Sequence, residues 1–334
     1  MDWTNNWLAA LQAFGWDADQ ISEAKLISLS ENATYRCEVT GPGGARRRVI
    51  VRLHRPGFRT FEEIRSEIAW ITELRRQHVV DTPRPLVAPD GSTVVQVPCG
   101  ELTQCAVVFE FAPGSEPHIT DMRAVMEVVG SQTAALHRHV ETWQPPQGFT
   151  RPVWDVESTI GGSSLWGRWE DTPEVHQIPA AVSVLAQAEQ RIRRDLDRYG
   201  CSPTSFGLIH GDLRSTNLLV DGDTVRVIDF DDCGTGWFMY DLACSVSFME
   251  DDPALSEWVA SWLRGYNRVR DLRSEDIEII PSLIMARRLL LTAWMESRRE
   301  TEYAQRVRSS YVAGCVELAQ KYLSGALLSD VATV

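Results

Sequence analysis

No apolar run in this 334-residue chain approaches the roughly eighteen residues that a membrane-spanning helix needs. The opening MDWTNNWLAA has no basic region ahead of an apolar stretch, so no secretory leader is expected. Seven cysteines lie scattered at positions 37, 99, 105, 201, 233, 244 and 315. The count is odd and no CxxC pair occurs, which argues against both a disulfide framework and a zinc site. Positive charge is also short. The net charge of −13 sets the chain against nucleic acid and anionic membrane as partners, while a cationic substrate is compatible with it. No internal repeat or low-complexity tract is visible. With 44% apolar and 24% charged residues, the composition is that of an ordinary globular protein with a sizeable core. The length suits one large or two medium domains. A soluble protein of a reducing, cytoplasmic compartment is expected.

What is present centres on Leu208 to Asp231, LIHGDLRSTNLLVDGDTVRVIDFD. Leu208-Ile209 is a short apolar run ending in His210-Gly211-Asp212. Leu218 to Val220 is a second run, Asp221-Gly222-Asp223 a turn, and Val225 to Ile228 a strand that ends at Asp229. The hairpin folds the second loop toward the first, bringing Asp212, Asn217 and Asp229 together. Asp212 is a carboxylate able to take a proton from a hydroxyl. The Asn217 amide oxygen and the Asp229 carboxylate are hard donors of the kind Mg²⁺ accepts alongside phosphates. These are the parts of a phosphoryl-transfer site, where a protein chiefly positions groups and offsets charge. Either triplet alone reads as a turn with a capping aspartate; H-x-D-x-x-x-x-N followed by a hairpin and D-F-D is seldom produced by chance.

On these residues the chain resembles the aminoglycoside phosphotransferase and choline kinase family, the small-molecule branch of the protein-kinase-like fold. The H-G-D triplet, the D-F-D triplet and Tyr240-Asp241-Leu242 carry the likeness. The resemblance implies an α+β, bilobal protein-kinase-like fold, with a small antiparallel-sheet N-lobe over residues 1–112 and a larger, mainly helical C-lobe over 113–334. It also implies Asp212 as catalytic base, Asn217 and Asp229 as magnesium ligands, and Asp241 as a buttress of the catalytic loop.

In the N-terminal part, Trp7 to Phe14 reads as a helix, and Tyr35 to Val39 and Val49 to Leu53 as strands joined at Gly41 to Gly44. Ser28 to Thr34 occupies the place of a phosphate-covering loop without the glycine-rich pattern. Ser30, Asn32 and Thr34 offer polar groups to phosphate, and a plain hairpin turn fits equally. The family usually carries a lysine on the next strand to brace the nucleotide phosphates; here Arg52 stands there, longer and forked. Glu62 to Gln77 is a helix with Ile64, Ile68, Ile71 and Leu74 as its buried stripe. The family's strand–helix ion pair implies Glu67 as the partner of Arg52, with Glu63 next in line and a solvated helix face as the plain alternative. A hairpin is expected around Pro89-Asp90-Gly91, then a strand from Ala106 to Phe111. The adenine contacts that the family makes through backbone groups imply Glu110, Phe111 and Ala112.

Farther on, Thr120-Asp121 is expected to cap a helix buried along Met122, Val125, Met126, Val129, Thr133 and Leu136. His137 and His139 near its end suit structural roles better than metal ligation. Gln144 to Gln177, rich in proline and tryptophan, is either a lid or a segment anchored by its tryptophans, the anchor preferred. A helix from Pro179 to Tyr199 should bury Val182, Leu185, Ile192 and Leu196, and Leu255–Tyr266, Ile277–Ser297 and Tyr303–Leu323 read as helices. Arg214 stands where it could offset charge on the γ-phosphoryl group or make a surface ion pair. Glu250 to Asp252 fit helix capping before Pro253. Asp231 and Asp232 are candidates for a substrate ammonium.

Together these readings predict a kinase using ATP (GTP also open as donor) and Mg²⁺. Its acceptor is the hydroxyl of a small polar molecule such as an aminoglycoside or amino alcohol, and it acts as a monomer or homodimer. Two rivals are a protein serine/threonine kinase resembling stress response kinase A and a nucleotide-binding pseudokinase.

Overall fold

In the computed structural model, which describes residues 3–331, apolar and polar residues alternate along nine-residue strands and fold the N-terminal part into a sheet. Five antiparallel strands, β1 (Ile21–Leu29), β2 (Asn32–Thr40), β3 (Arg46–His54), β4 (Val95–Cys99) and β5 (Leu102–Glu110), lie in the order β1-β2-β3-β5-β4. Ala33, Cys37, Val39, Val49, Val51, Leu53, Ala106 and Val108 turn one face inward. That face packs on Ala10 and Leu11 of helix α1 (Trp7–Ala13) and on Phe14 and Trp16. Each fully buried Val or Leu contributes about 1.5–3 kcal/mol. Two strands go beyond the expectation. β1 is mostly polar and exposed, and β4 carries Pro98, so neither shows the apolar signature of a strand. The Pro89–Gly91 stretch is a tight turn, with Ala88 N–H on the Ser92 carbonyl at 2.8 Å, but the hairpin itself lies between β4 and β5.

Helix α2 (Phe61–Arg76) starts at a reciprocal cap between Thr60 and Glu63 and buries Ile64, Ile68, Ile71 and Leu74 as expected. Glu67 lies on the same face, fully buried.

The chain forms two compact units. The first takes in residues up to Ser115 together with Gln144–Arg151 and Leu219–Asp231; the second holds Glu116–Trp143, Pro152–Leu218 and the chain from Asp232. The chain thus returns to the first unit twice after Ser115. Within that unit the returning hairpin is tied down by main chain: Ser115 and Val220 exchange hydrogen bonds at 3.1 and 2.8 Å, and Val227 donates to the Asp81 carbonyl at 2.9 Å. Arg226 adds an ion pair to Asp81 at 2.9 Å and a bond to the Pro113 carbonyl at 3.0 Å.

The second unit is mainly helical. Helix α3 (Met122–Val140) crosses the Leu255–Asn267 helix at Gly130 and Gly265. A Cβ at Gly130 would stand 2.0 Å from the Trp262 carbonyl oxygen, and one at Gly265 would stand 1.9 Å from that of Glu127. The Ile280–Ser297 helix is buried over most of its surface, and Pro281 in its first turn separates it from the short Ser274–Glu278 helix.

Three expectations are corrected in this unit. Val182 is 41% exposed, because the inward stripe of the Ala181–Tyr199 helix runs through Ala181, Leu185, Ala188, Ile192 and Leu196. Thr120 lies inside a 3₁₀ turn capped by His118, and Asp121 makes no side-chain cap to α3. Of the Glu250–Asp252 trio only Asp252 acts as a local cap, accepting from Ala254 N–H at 2.8 Å. Glu250 and Asp251 instead pair with buried Arg288 at 2.7 and 2.8 Å, since a charge inside a helix core needs a partner more than a helix end needs a third acid. The tryptophans of the irregular stretch anchor it: Trp154 and Trp169 are buried, Trp154 stacks on Trp166 at 5.9 Å, and Trp169 donates to Glu189 at 2.7 Å. Among the described residues no helix is long and apolar enough to cross a membrane.

Candidate active site

In the second unit the buried strand Phe206–Ile209, paired antiparallel to Gly234–Trp237, delivers the chain to His210. Gly211 then turns with φ +79°. A Cβ there would stand 2.5 Å from the Asp232 carbonyl oxygen, so only glycine fits between His210 and Asp212. The loop is held from below by Asp241, at the start of the Tyr240–Ser245 helix and fully buried. Its carboxylate accepts from the backbone N–H of His210 at 3.0 Å and of Gly211 at 2.8 Å. It also meets Nε2 of buried His137 at 3.1 Å, while Nδ1 of that ring meets the Tyr266 hydroxyl at 2.9 Å. These partners assign the proton to Nε2 and acceptance to Nδ1. Burial holds His137 below its usual pKa. Burial alone would push Asp241 up, but the bonds from His137 and the backbone keep it below the usual carboxylate value, so it stays ionised. The buttress implied for Asp241 is therefore a three-donor anchor.

Asp212 stands above this anchor. The 3₁₀ turn Ser215–Asn217 brings Asn217 back onto it. The Asn217 amide nitrogen donates to the Asp212 carbonyl at 2.7 Å and to its Oδ2 at 2.9 Å, which leaves the amide oxygen as the hard donor. Arg214 Nε reaches the same Oδ2 at 3.2 Å, and its guanidinium lies 5.7 Å from the Phe248 ring centroid. Arg214 thus does form an ion pair, with Asp212 itself. Phe248 holds φ +67°, a costly conformation for a bulky residue. Arg287 of the Ile280–Ser297 helix takes Oδ1 of Asp212 through its Nη2. The sequence reading missed Arg287, 75 residues downstream and in no motif. A signal was there: Arg287-Arg288 interrupts a helix that is otherwise nearly all apolar, and arginines in such a place need carboxylates.

In the first unit Arg52 on β3 is buried and places Nη2 at 2.6 Å from Glu67 and Nη1 at 3.3 Å from Asp229. Glu67, not Glu63, is the ion-pair partner, because Glu63 is engaged in the Thr60 cap. Asp229 follows the Thr224–Val227 strand with φ +61°, and its side chain is half exposed. Ser28 to Thr34 is a tight hairpin rather than an open loop: β1 runs to Leu29, β2 begins at Asn32, and Ser30 N–H meets the Asn32 carbonyl at 3.0 Å. Thr34 pairs with Arg52 in the ladder. Asn32 is buried and turns its amide nitrogen to Asp231 Oδ2 at 3.0 Å.

Asp231, expected as a substrate contact, is buried instead. Its carboxylate faces Asn32 and, at 3.6 Å, His54, and its carbonyl accepts from Arg151. All of these partners lie in the first unit. Asp232 is half-buried, and its carbonyl accepts from Trp154 Nε1 at 2.8 Å. Glu110 ends β5, with its N–H on the Arg84 carbonyl at 2.9 Å and its carboxylate on the Arg84 guanidinium. Phe111 carries the Arg48 guanidinium 4.1 Å from its ring centroid, and Ala112 follows in the connection to Gly114.

Comparison with known proteins bears on the family and the fold. The model of the phosphotransferase enzyme family matches residues 23–275. Amicoumacin kinase of Bacillus subtilis (strain 168) is 24% identical over 294 residues, covering 84% of this chain and 81% of that protein. The solved structure of a microcompartment-associated aminopropanol kinase superposes with a TM-score of 0.86 at 39% identity, covering 96% of this chain and 98% of that one. Amicoumacin kinase hAmiN, in complex with AMP-PNP, Ca²⁺ and Ami, superposes with a TM-score of 0.74 at 19% identity, over 97% and 94% of the two chains. The fold is thus the α+β, protein-kinase-like one that the motifs implied.

Proposed function

The chain belongs to the phosphotransferase enzyme family, and from that membership we propose that it is a kinase transferring the γ-phosphate of ATP, with Mg²⁺, to the hydroxyl of a small amino alcohol. The observation that carries this reading is the Asp212 carboxylate, oriented by Asn217, Arg214 and Arg287 on a loop that Asp241 pins. A base so held orients a hydroxyl and accepts its proton as the hydroxyl oxygen attacks phosphorus and the bond to the ADP oxygen breaks. The guanidinium of Arg214, beside Asp212, would offset the charge of the transferring group.

The first unit is the proposed nucleotide side. Arg52, held by Glu67, braces the phosphates, Ser30 at the hairpin tip covers them, and backbone groups of Glu110, Phe111 and Ala112 take the adenine. Asn217 and Asp229 would hold the cation. One neutral and one anionic oxygen fit the few protein ligands that magnesium takes when phosphates and water complete its shell. Bound there, magnesium supplies neutralisation of the phosphate charge. The AMP-PNP and Ca²⁺ of the hAmiN complex support a nucleotide and a divalent cation.

The relatives support this acceptor: the solved structure at 39% identity is named for aminopropanol, which favours an amino alcohol over a protein serine. Asp232 remains the candidate for the substrate ammonium. The test is ADP release across amino alcohols, choline, homoserine, sugars and aminoglycosides, with ATP or GTP as donor and the Asp212→Ala protein as blank. Turnover of an amino alcohol by the native protein alone is expected. Phosphate transfer to protein serine with none to small alcohols would overturn the acceptor assignment.

A further inference from the structure

We propose that Arg287 is the positioning residue of the acceptor site: it fixes Oδ1 of Asp212, so that the carboxylate keeps its orientation when Arg214 turns to the phosphoryl group. The inference rests on the reading of Asp212 as base.

Arg287 sits mid-way along the Ile280–Ser297 helix with a side chain 5% exposed. An arginine stays charged even there, and a buried charge is tolerated only with a partner. Its two contacts define a plane. Nη2 meets Asp212 Oδ1, and Nε donates to the Ser247 hydroxyl at 3.1 Å. The Tyr240 ring, centred 5.9 Å from the guanidinium carbon, lies on a third side. Ser247 thereby stops the guanidinium from rotating about its own stem, and the guanidinium in turn stops the carboxylate.

The other carboxylate oxygen is held differently. Asn217 and Arg214 share Oδ2, and the Arg214 side chain is 32% exposed. Arg214 therefore has room to move toward an anionic ligand, whereas Arg287 has none. Two guanidiniums thus flank the Asp212 carboxylate, an arrangement that suits a phosphoryl group beside the base. In phosphoryl transfer, placing the hydroxyl matters more than removing its proton early. A lysine could reach one of the two contacts as a point charge but could not hold the plane.

The experiment measures kcat and both KM values for Arg287→Met, Arg287→Lys and Ser247→Ala. Each is normalised to active sites counted by ADP-binding titration, with Asp212→Asn in parallel. Misplacing a reacting group by about 1 Å costs about 100-fold, so Arg287→Met should lose roughly that factor in kcat per site. Lysine should recover part of it, Ser247→Ala should lose less, and both KM values should stay within about twofold. Methylguanidinium added to Arg287→Ala should restore a fraction of kcat. An unchanged kcat per binding site in Arg287→Met would overturn the inference, as would a loss accounted for wholly by fewer binding sites. If Arg287→Met fails to fold, Ser247→Ala and the lysine variant decide: native kcat in both overturns the inference. Normal turnover by Asp212→Asn would instead remove the base assignment, while an inactive Asp212→Asn beside a fully active Arg287→Met would sink the Arg287 role alone.

Discussion

Arg52 and Glu67, fifteen residues apart in the chain, meet at 2.6 Å with both side chains buried. The other nitrogen of the same guanidinium lies 3.3 Å from Asp229. A lysine ammonium cannot span two acids in this way, so the arginine is a different device from the lysine usual in the family. Arg52→Ala leaves Glu67 buried without its partner and should cost about 3–5 kcal/mol of stability. Arg52→Lys should fold and raise KM for ATP several-fold. Denaturant unfolding and steady-state kinetics test both, and a lysine variant with native KM would show that the fork is dispensable.

Asp212→Asn should lower kcat by about 10²–10⁴ while nucleotide affinity stays within a few-fold, as measured by calorimetry. Full activity would remove the base assignment.

Asp229→Ala should weaken the Mg²⁺ dependence of nucleotide binding. Affinity measured over a magnesium titration is the readout, and an unaltered dependence argues against the ligand role.

Stability should fall on mild acidification. Burial, with the guanidiniums of Arg52, Arg151 and Arg59, pushes His54 down to about 3, and burial lowers His137 as well. In the unfolded chain both titrate near 6.5. Below that pH the unfolded chain binds protons that the folded chain refuses, so the stabilisation is complete above about 6.5 and shrinks as pH falls. The Tm should therefore drop between pH 7.5 and 5, and His54→Gln should flatten the slope. A Tm that rises on acidification would contradict the neutral, buried state of these rings.

Gly265→Ala should destabilise strongly, since its Cβ would stand 1.9 Å from the Glu127 carbonyl oxygen and neither helix backbone can yield by that much. A cost of about 3 kcal/mol or more is expected, read as a lowered Tm with catalysis per folded molecule retained.

Much of the candidate site was legible because its residues are local. His210 to Asp229 spans two loops and a hairpin whose turn chemistry sits next to the residues it positions. The Arg52–Glu67 pair was expected from the family resemblance, with strand alternation giving only the face of β3 that Arg52 shares with Ile50. The parts that escaped are non-local or lack a period. β1 is a polar edge strand and looks like a loop. Glu250 looks like a cap until Arg288 is brought to it from the far side of the chain. In the sequence Asn32 is a candidate phosphate-loop group and Asp231 a candidate substrate contact, and the bond between them, across 199 positions in the buried interior of the first unit, has no local signature.

The amino-acid sequence by itself showed the motif: a carboxylate, an amide and a second carboxylate at set intervals, with a glycine between His210 and Asp212. The α+β class came from the family resemblance that these motifs carry, while hydrophobic period and turn residues, which act over a few positions, marked individual helices and strands. Only the tertiary structure decided which charges meet. It put Arg287 on Asp212, Arg288 on Glu250, and Asn32 on Asp231. Burial makes each such pairing obligatory, and burial arises from contacts among residues far apart in the chain.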